Sequence, residues 1–132
     1  MSRDWVRDIF TMHSHYKQHN AFDTMDKEKL QKFLEFRINF LQEELDEMKN
    51  AKNADDVVDA LIDLCVVAIG TLDAYNVDAY KAWDEVLDAN MKKEVGIKEG
   101  RPNPLGLPDL MKPSDWTAPS HIGNEGKLKE IF

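Results

Sequence analysis

The stretch ALIDLCVVAI, residues 60–69, decides how this chain folds, because nine of its ten residues are apolar and the tenth is Asp63. It lies in a segment, about 54–75, whose apolar positions cover most of the circumference of a helix. We therefore expect this helix to be the central and most buried one. An unpaired charge in such surroundings costs several kcal/mol. Asp63 therefore requires a partner, and its neighbours in space should indicate the function.

Three further segments show apolar residues at spacings of three and four, which is typical of amphipathic helices. They are residues 2–19, about 27–50 and about 78–94. Asp26 can cap the second of these, and Asn53 or Asp55 can cap the central helix. We expect the inner side of the last helix to consist of Ala79, Tyr80, Trp83, Val86, Leu87 and Met91. Strand signals are weak throughout, so the sequence predicts an all-α bundle of four to five helices.

The C-terminal part of the chain differs in composition from the helical part. All five prolines and five of the six glycines lie after residue 95, and the remaining glycine is Gly70. Residues 1–95 should therefore form the helical domain, and residues 96–132 should form an extended tail without a long helix. Because the tail also carries Trp116 and several leucines, we expect it to pack on the bundle or on a neighbouring subunit.

The overall composition restricts the partners of the protein. It has 25 acidic and 17 basic residues, for a net charge of −8, which disfavours binding to nucleic acid. No apolar run approaches the ~18 residues that a membrane span needs. The N-terminus has no signal-peptide pattern, and Cys65 is the single cysteine, which favours the cytoplasm of a cell or of a host.

Acidic residues form stripes on two of the predicted helices. Glu43, Glu44 and Glu47 fall within an arc of about 100° on the helix 27–50, and Asp56, Asp59 and Asp63 within about 60° on the central helix. Helices joined by a short polar turn pack antiparallel, so the stripes should meet. Five or six facing carboxylates repel one another unless a cation lies between them. Oxygen ligands without histidine or cysteine select Mg²⁺ or Mn²⁺.

Other interpretations of these acids stay open. The glutamates could form a solvated helix face, and Asp55 and Asp56 could be helix N-terminal acids that the macrodipole favours. A di-iron site expects a Glu-x-x-His pair, and no histidine lies between residues 20 and 120. His13 and His15 lie on opposite sides of a helix, so we expect a surface pair and not a metal site.

The order of these motifs resembles the all-α NTP pyrophosphohydrolases, and above all the short MazG-like and phosphoribosyl-ATP-pyrophosphohydrolase-like proteins, many of which phages encode. The similarity covers roughly residues 30–95. The motifs that carry it are Glu43-Glu44-Leu45-Asp46-Glu47, the stretch from Asp56 to Asp63, Gly70, and the stretch from Val86 to Asn90-Met91-Lys92-Lys93. Such enzymes cleave nucleoside triphosphates between the α and β phosphorus atoms. They assemble as dimers or as tetramers of paired dimers.

The resemblance implies a role for each candidate residue. It implies that Mg²⁺ is held by Glu44, Glu47 and Asp59, with Asp56 and Asp63 in the same cluster. It implies a general base, Glu43, for the attacking water, and nucleotide contacts from Asn90 and Lys93. Lys93 could instead simply be a favoured helix C-terminal cation. Asp56 stands where the family usually has glutamate, and an alternative register pairs Ala60 with Asp63, so the division of labour among the three aspartates stays open.

Three functions follow from this sequence. The first is a Mg²⁺-dependent pyrophosphohydrolase that acts on nucleoside triphosphates, deoxynucleotides in particular. The second is cleavage of phosphoribosyl-ATP, and the third is a catalytically silent helical module that binds nucleotide. The retention of the acids argues against the third.

A central helix this apolar in a small chain also indicates a homo-oligomer. Arg101 and Lys112 in the tail are further candidates for substrate contact.

Overall fold

Five α-helices make up most of the protein. The computed structural model describes residues 3–100 and 105–132, so Arg101 lies outside the described residues. The helices are α1 (Trp5–His15), α2 (His19–Asp23), α3 (Lys27–Lys49), α4 (Ala54–Ala74) and α5 (Ala79–Met91). The prediction of an all-α bundle is confirmed. None of the described helices is long and apolar enough to cross a membrane.

Short elements follow the helices. The strands β1 (Glu94–Gly96) and β2 (Asp109–Met111) pair antiparallel, with Val95 opposite Leu110. A 3-10 helix, Gly126–Ile131, lies near the C-terminus. The absence of a long helix after residue 95 holds in the described part of the tail, whereas the small β-ribbon was not predicted, because three-residue strands leave no periodic pattern.

Local capping fixes the helix ends. The carboxylate of Asp26 accepts a hydrogen bond from Lys29 N, and Asn53 Oδ1 accepts one from Asp56 N, each at 2.9 Å. The predicted cap Asp26 is confirmed, and of the two candidates for the central helix, Asn53 and Asp55, Asn53 is the cap. The predicted single helix 2–19 is wrong, because the chain turns after His15. There Lys17 adopts a left-handed φ of 56°, which ends α1 and starts the turn into α2.

Helices α3 and α4 form an antiparallel pair at the centre of the fold. Tyr75, just after α4, is fully buried, and its hydroxyl donates to the carbonyl of Leu30 near the start of α3 at 2.5 Å. Helix α4 also contacts α1, α2 and α5, so its central position is confirmed. Its burial is only partial, however, because Val58 is 60% and Leu61 is 46% exposed.

Helix α5 does not present its apolar stripe to the bundle. Within the chain only Ala79 and Ala89 of this helix are buried, whereas Trp83 is 67% and Met91 is 76% exposed. The predicted inner side of α5 is therefore wrong for the single chain except at Ala79, which is buried. Helical periodicity identifies an apolar face but does not say what covers it.

The tail is anchored to both ends of α5. Trp116 Nε1 donates to the carbonyl of Ala89 at 2.7 Å. The side chain of Asn124 accepts from Asp78 N at 2.9 Å and donates to Asp78 O at 2.8 Å. The bond to Asp78 N satisfies a backbone donor that has no partner inside the helix. The carbonyls of Asp78 and Ala89 each gain a second hydrogen bond, since they also accept from Ala82 N and Lys92 N.

The C-terminal 3-10 helix closes the end of α4. Lys127 N donates to the carbonyl of Tyr75 at 2.8 Å, and Lys127 Nζ donates to the carbonyl of Phe22 at 2.7 Å. Gly126 has a φ of 54°, and a Cβ at this position would lie 2.1 Å from Tyr75 O. A glycine is therefore required here for the tail to reach α4.

We expect Tyr75→Phe to destabilise the protein by about 1 kcal/mol, because the buried hydrogen bond from its hydroxyl to the carbonyl of Leu30 is lost. The measurement is the free energy of unfolding in urea. Tyr16→Phe is the matched control, since Tyr16 is 66% exposed, and it should unfold like the wild type. Equal stability of all three proteins would show that the Tyr75 hydroxyl does not hold α4 to α3.

Candidate metal centre

Three carboxylates from two helices converge at the end of the α3–α4 pair. Glu44 and Glu47 lie one turn apart on α3, and Asp63 lies on α4; one carboxylate oxygen from each residue lies within 4.8 Å of the other two. Glu44 is only 8% exposed. Antiparallel packing therefore brings part of the two predicted acidic stripes together.

The electrostatics of this cluster are unfavourable in the absence of a cation. Burial, followed by repulsion from Glu47 and Asp63, raises the pKa of Glu44. Burial, followed by repulsion from Asp59, raises the pKa of Asp63. Glu44 Oε2 is buried and has no hydrogen-bond partner among the described residues. A buried carboxylate oxygen without a donor is the feature that a bound cation would complete.

The remaining predicted acids are exposed and differ in whether they interact with this cluster. Asp59 is exposed and adjoins Asp63, whose pKa it raises. Asp56 is exposed and bonds with its helix cap: its carboxylate accepts from Asn53 Nδ2 at 3.2 Å. Glu43 is exposed on α3 beside Glu44. The structure thus groups Asp63 with the two glutamates, places Asp59 at the edge, and leaves Asp56 in a capping interaction.

The predicted nucleotide contacts lie elsewhere. Asn90 is exposed at the end of α5, and Lys93 Nζ lies 5.5 Å from the centre of the Trp116 ring. Lys112 Nζ, from the tail, lies 4.9 Å from the same ring. In the described part of the chain, no hydrogen bond or ion pair joins Asn90 or Lys93 to the acidic cluster.

A second polar cluster joins α1 and α2 to α4. Asp73 Oδ2 accepts from His13 Nδ1 at 2.5 Å and from His19 Nε2 at 2.9 Å. His13 is 5% exposed, so the expected surface pair with His15 is wrong: His13 faces α4, whereas His15 is exposed. One ligand atom from each of the three residues lies within 4.8 Å of the others. The distances to Asp73 are those of hydrogen bonds, and both imidazoles act as donors.

The sequence analysis missed the role of Arg37, which lies between these two clusters. Its guanidinium carbon lies 5.1 Å from the centre of the Phe33 ring and 5.9 Å from that of Phe40. A Cβ at Gly70 would lie 3.3 Å from Arg37 Nη2 and 3.4 Å from His13 Cε1. Gly70 therefore lies at a close approach to α4, which the side chains of Arg37 and His13 make. An arginine in the apolar pattern of α3 was the only signal in the sequence.

The acidic cluster fits a hard divalent cation. The atoms that could bind a metal are all carboxylate oxygens, and their charges repel one another. Glu44 Oε2 also accepts no hydrogen bond from the described residues. Oxygen-only donors suit Mg²⁺, Mn²⁺ or Ca²⁺ better than zinc or iron. The two histidines belong to the separate cluster around Asp73, so they do not change this preference.

Fold and site together define an all-α protein with a carboxylate centre suited to a divalent metal. The family model for phosphoribosyl-ATP pyrophosphohydrolase matches residues 13–90, which is more than half of the chain. The chain therefore belongs to the phosphoribosyl-ATP pyrophosphohydrolase family, within the MazG-like nucleoside triphosphate pyrophosphohydrolase superfamily. Curated proteins and solved structures yield no significant match. Family membership implies a pyrophosphohydrolase activity, and the matched range contains the whole acidic cluster.

We expect Glu44→Gln to raise the melting temperature of the metal-free protein, because it removes a buried charge from a repelling cluster. The same variant should lose most of the stabilisation that millimolar Mg²⁺ gives to the wild type. Thermal melts with EDTA and with Mg²⁺ measure both effects. Glu35→Gln, an exposed acid on the same helix, is the control and should behave as wild type in both melts. A Glu44→Gln protein that Mg²⁺ still stabilises fully would place the metal elsewhere.

Proposed function

We propose that the protein is a Mg²⁺-dependent pyrophosphohydrolase that converts nucleoside triphosphates, deoxynucleotides by preference, to monophosphates and pyrophosphate. The observation that carries this proposal is the meeting of Glu44, Glu47 and Asp63, with Glu44 Oε2 buried and without a donor. The family match supports the reaction class. Mn²⁺ should substitute for Mg²⁺, because both take oxygen ligands in similar sites.

Each acid has a part in this proposal. Glu44, Glu47 and Asp63 would hold the cation, with Asp59 completing the set at its exposed edge and Asp56 extending it. A bound divalent cation neutralises triphosphate charge and lowers the pKa of water. Glu43, which is exposed beside the cluster, takes the proton from the attacking water as general base. The water oxygen bonds to phosphorus, the bridge between the α and β phosphates breaks, and pyrophosphate is released.

The substrate would complete the arrangement at α5. Asn90 and Lys93 lie outside the acidic cluster, so their proposed contacts to the nucleotide require the substrate to extend from the cluster toward the end of α5. Lys93 would contribute a phosphate-binding charge and Asn90 a polar contact. Lys112, which shares the Trp116 ring with Lys93, adds a second cation from the tail to that region.

A second candidate substrate is phosphoribosyl-ATP. The specific observation in its favour is that the matching family model is that of phosphoribosyl-ATP pyrophosphohydrolase. The bond that is cleaved is the same, and the carboxylate centre suits both substrates. The difference lies in the group attached to the base, so a direct comparison of the two substrates decides between them.

We also propose that the protein works as a homo-oligomer, a dimer or a tetramer, built on the apolar surfaces of α4 and α5. On α5, the residues that helical spacing places on one stripe are exposed in the single chain: Trp83 at 67%, Leu87 at 45% and Met91 at 76%. Exposed apolar side chains in this arrangement are typical of a protein interface. A second copy of the chain would cover them and would extend the core around α4.

We expect the protein to release pyrophosphate from one or more dNTPs or NTPs with Mg²⁺ and to be inactive with EDTA. Glu43→Gln should lower kcat by about 10²- to 10⁴-fold, because it removes the general base. It should retain the Mg²⁺-induced thermal stabilisation, since Glu43 is no member of the buried cluster. Pyrophosphate release measured across the canonical nucleotides and phosphoribosyl-ATP gives the preference.

The contradicting outcomes of this assay differ in meaning. A folded protein that binds Mg²⁺ but cleaves only phosphoribosyl-ATP would replace the first proposal with the second. A protein that binds nucleotides but cleaves none would be a binding module. Glu35→Gln, the exposed acid on α3, controls for loss of charge and should retain full activity.

We expect Trp83→Glu to shift the protein from an oligomer to a monomer, because it places a charge in the proposed apolar interface. Light scattering coupled to size-exclusion chromatography measures the mass. Lys81→Glu, at an exposed polar position of the same helix, should leave the mass unchanged. A wild-type protein that is monomeric at micromolar concentration would refute the interface.

A further inference from the structure

We propose that Arg37 recognises the nucleobase of the substrate, by donating to a base edge that carries two adjacent hydrogen-bond acceptors. The inference rests on the proposed function, because it places the triphosphate at the acidic cluster. It goes further in assigning base selection to a residue outside the metal centre.

Arg37 is a half-buried cation whose neighbours among the described residues are aromatic rings and not anions. Its Nε is buried without a hydrogen-bond acceptor, and none of the described carboxylates pairs with its guanidinium. The nearby acid, Asp73, accepts from His13 and His19 instead. Burial lowers the pKa of Arg37 from its usual value, yet the group stays charged near neutral pH. A donor that is withdrawn from water and left unpaired, as Nε is here, is the pattern expected where a ligand supplies the acceptor.

The position of Arg37 suits the base of a nucleotide whose triphosphate lies at the acidic cluster. It lies seven residues before Glu44 on α3, and Gly70, which it approaches, lies seven residues after Asp63 on α4. Seven residues are two helical turns, so Arg37 lies on the same face as the cluster and about 10 Å along the helix. That spacing is comparable to the length of one nucleoside. A triphosphate at the cluster would therefore bring its base into the neighbourhood of Arg37.

The chemistry of a guanidinium selects among the bases. Arginine offers five donors in a planar fork and no acceptor. Guanine presents N7 and O6 as adjacent acceptors, and cytosine presents O2 and N3 in the same relation, whereas adenine places its amino donor beside N1 and N7. The rings of Phe33 and Phe40 flank the guanidinium and hold it in place. We therefore expect a preference for guanine or cytosine over adenine.

Gly70 allows the Arg37 guanidinium to pack closely against α4. With no Cβ at this position, Arg37 Nη2 and His13 approach the backbone of α4 closely, at 3.3 and 3.4 Å from where a Cβ would stand. The hydrogen bond from His13 to Asp73 fixes the imidazole, so an added methyl group would have to shift Arg37 Nη2 by a few tenths of an ångström. Gly70→Ala is therefore a second variant that moves the guanidinium without removing its charge.

The test is equilibrium binding of the α,β-methylene analogues of the four common dNTPs, with Mg²⁺, together with hydrolysis of the natural nucleotides. Arg37→Gln should weaken binding of the preferred analogue about tenfold or more and leave the adenine analogue nearly unchanged. Arg37→Lys keeps the charge but loses the planar fork, so it should not restore the preference. Lys29→Gln, an exposed cation on the same helix, is the control and should retain the wild-type ratios. Gly70→Ala should lower the preference in the same direction as Arg37→Gln.

Other outcomes overturn the inference. An equal loss for all four analogues, or rescue by Arg37→Lys, would make Arg37 a phosphate-binding or structural charge. A loss confined to phosphoribosyl-ATP would mean that Arg37 binds the additional phosphate of that substrate. A change of oligomeric mass in Arg37→Gln with unchanged base ratios would assign it to an interface. If Arg37→Gln is active and its affinity ratios among the four analogues are unaltered, base recognition by Arg37 is refuted but the proposed function is not. A wild type that neither binds nor cleaves any nucleotide would refute the proposed function as well.

Discussion

The packing of α3 against α4 in one antiparallel register is the constraint on which the rest of the structure depends. Tyr75 meets Leu30 at one end of this pair, Arg37 meets Gly70 in the middle, and Glu44 and Glu47 meet Asp63 at the other end. A shift of one residue on either helix would rotate its side chains by about 100°. Such a rotation would separate the carboxylates and would bury the wrong groups, so one register determines both the core and the site.

This register places groups together that do not stabilise the metal-free chain. The carboxylates of Glu44 and Asp63 repel each other, and Arg37 is partly withdrawn from water without a partner. The apolar contacts of the central pair, together with the buried bond of Tyr75, must offset these costs. Poorly satisfied polar groups that persist in a packed core are typical of functional sites, where a ligand completes the interactions.

Helical periodicity and capping chemistry sufficed to predict the main helices, because both are local properties. Asp26 and Asn53 cap as expected, and Asp63 was singled out because its apolar neighbours leave a charge unexplained. The hydrogen bond from His13 to Asp73 spans 60 residues, and no local pattern marks such a contact. The face of α5 was misassigned for a related reason: its apolar stripe is real, but no local pattern says whether the rest of the chain covers it, and Trp83 and Met91 are exposed. The left-handed turn at Lys17 carries no glycine or proline, so the end of α1 had no signal either.

The proposed separation of base recognition from phosphate chemistry has a physical basis in the geometry of the helix pair. The reaction requires several carboxylates around one cation, and a substitution among them changes both the charge and the coordination of the centre. A residue two turns away on the same helix face can be exchanged for one with a different hydrogen-bonding pattern without disturbing that centre. Substitution at position 37 would therefore alter which base is preferred while the carboxylates continue to serve the common triphosphate. In the proposed arrangement, the repulsion among the carboxylates would select the cation and so the reaction, and the guanidinium of Arg37 would select the substrate.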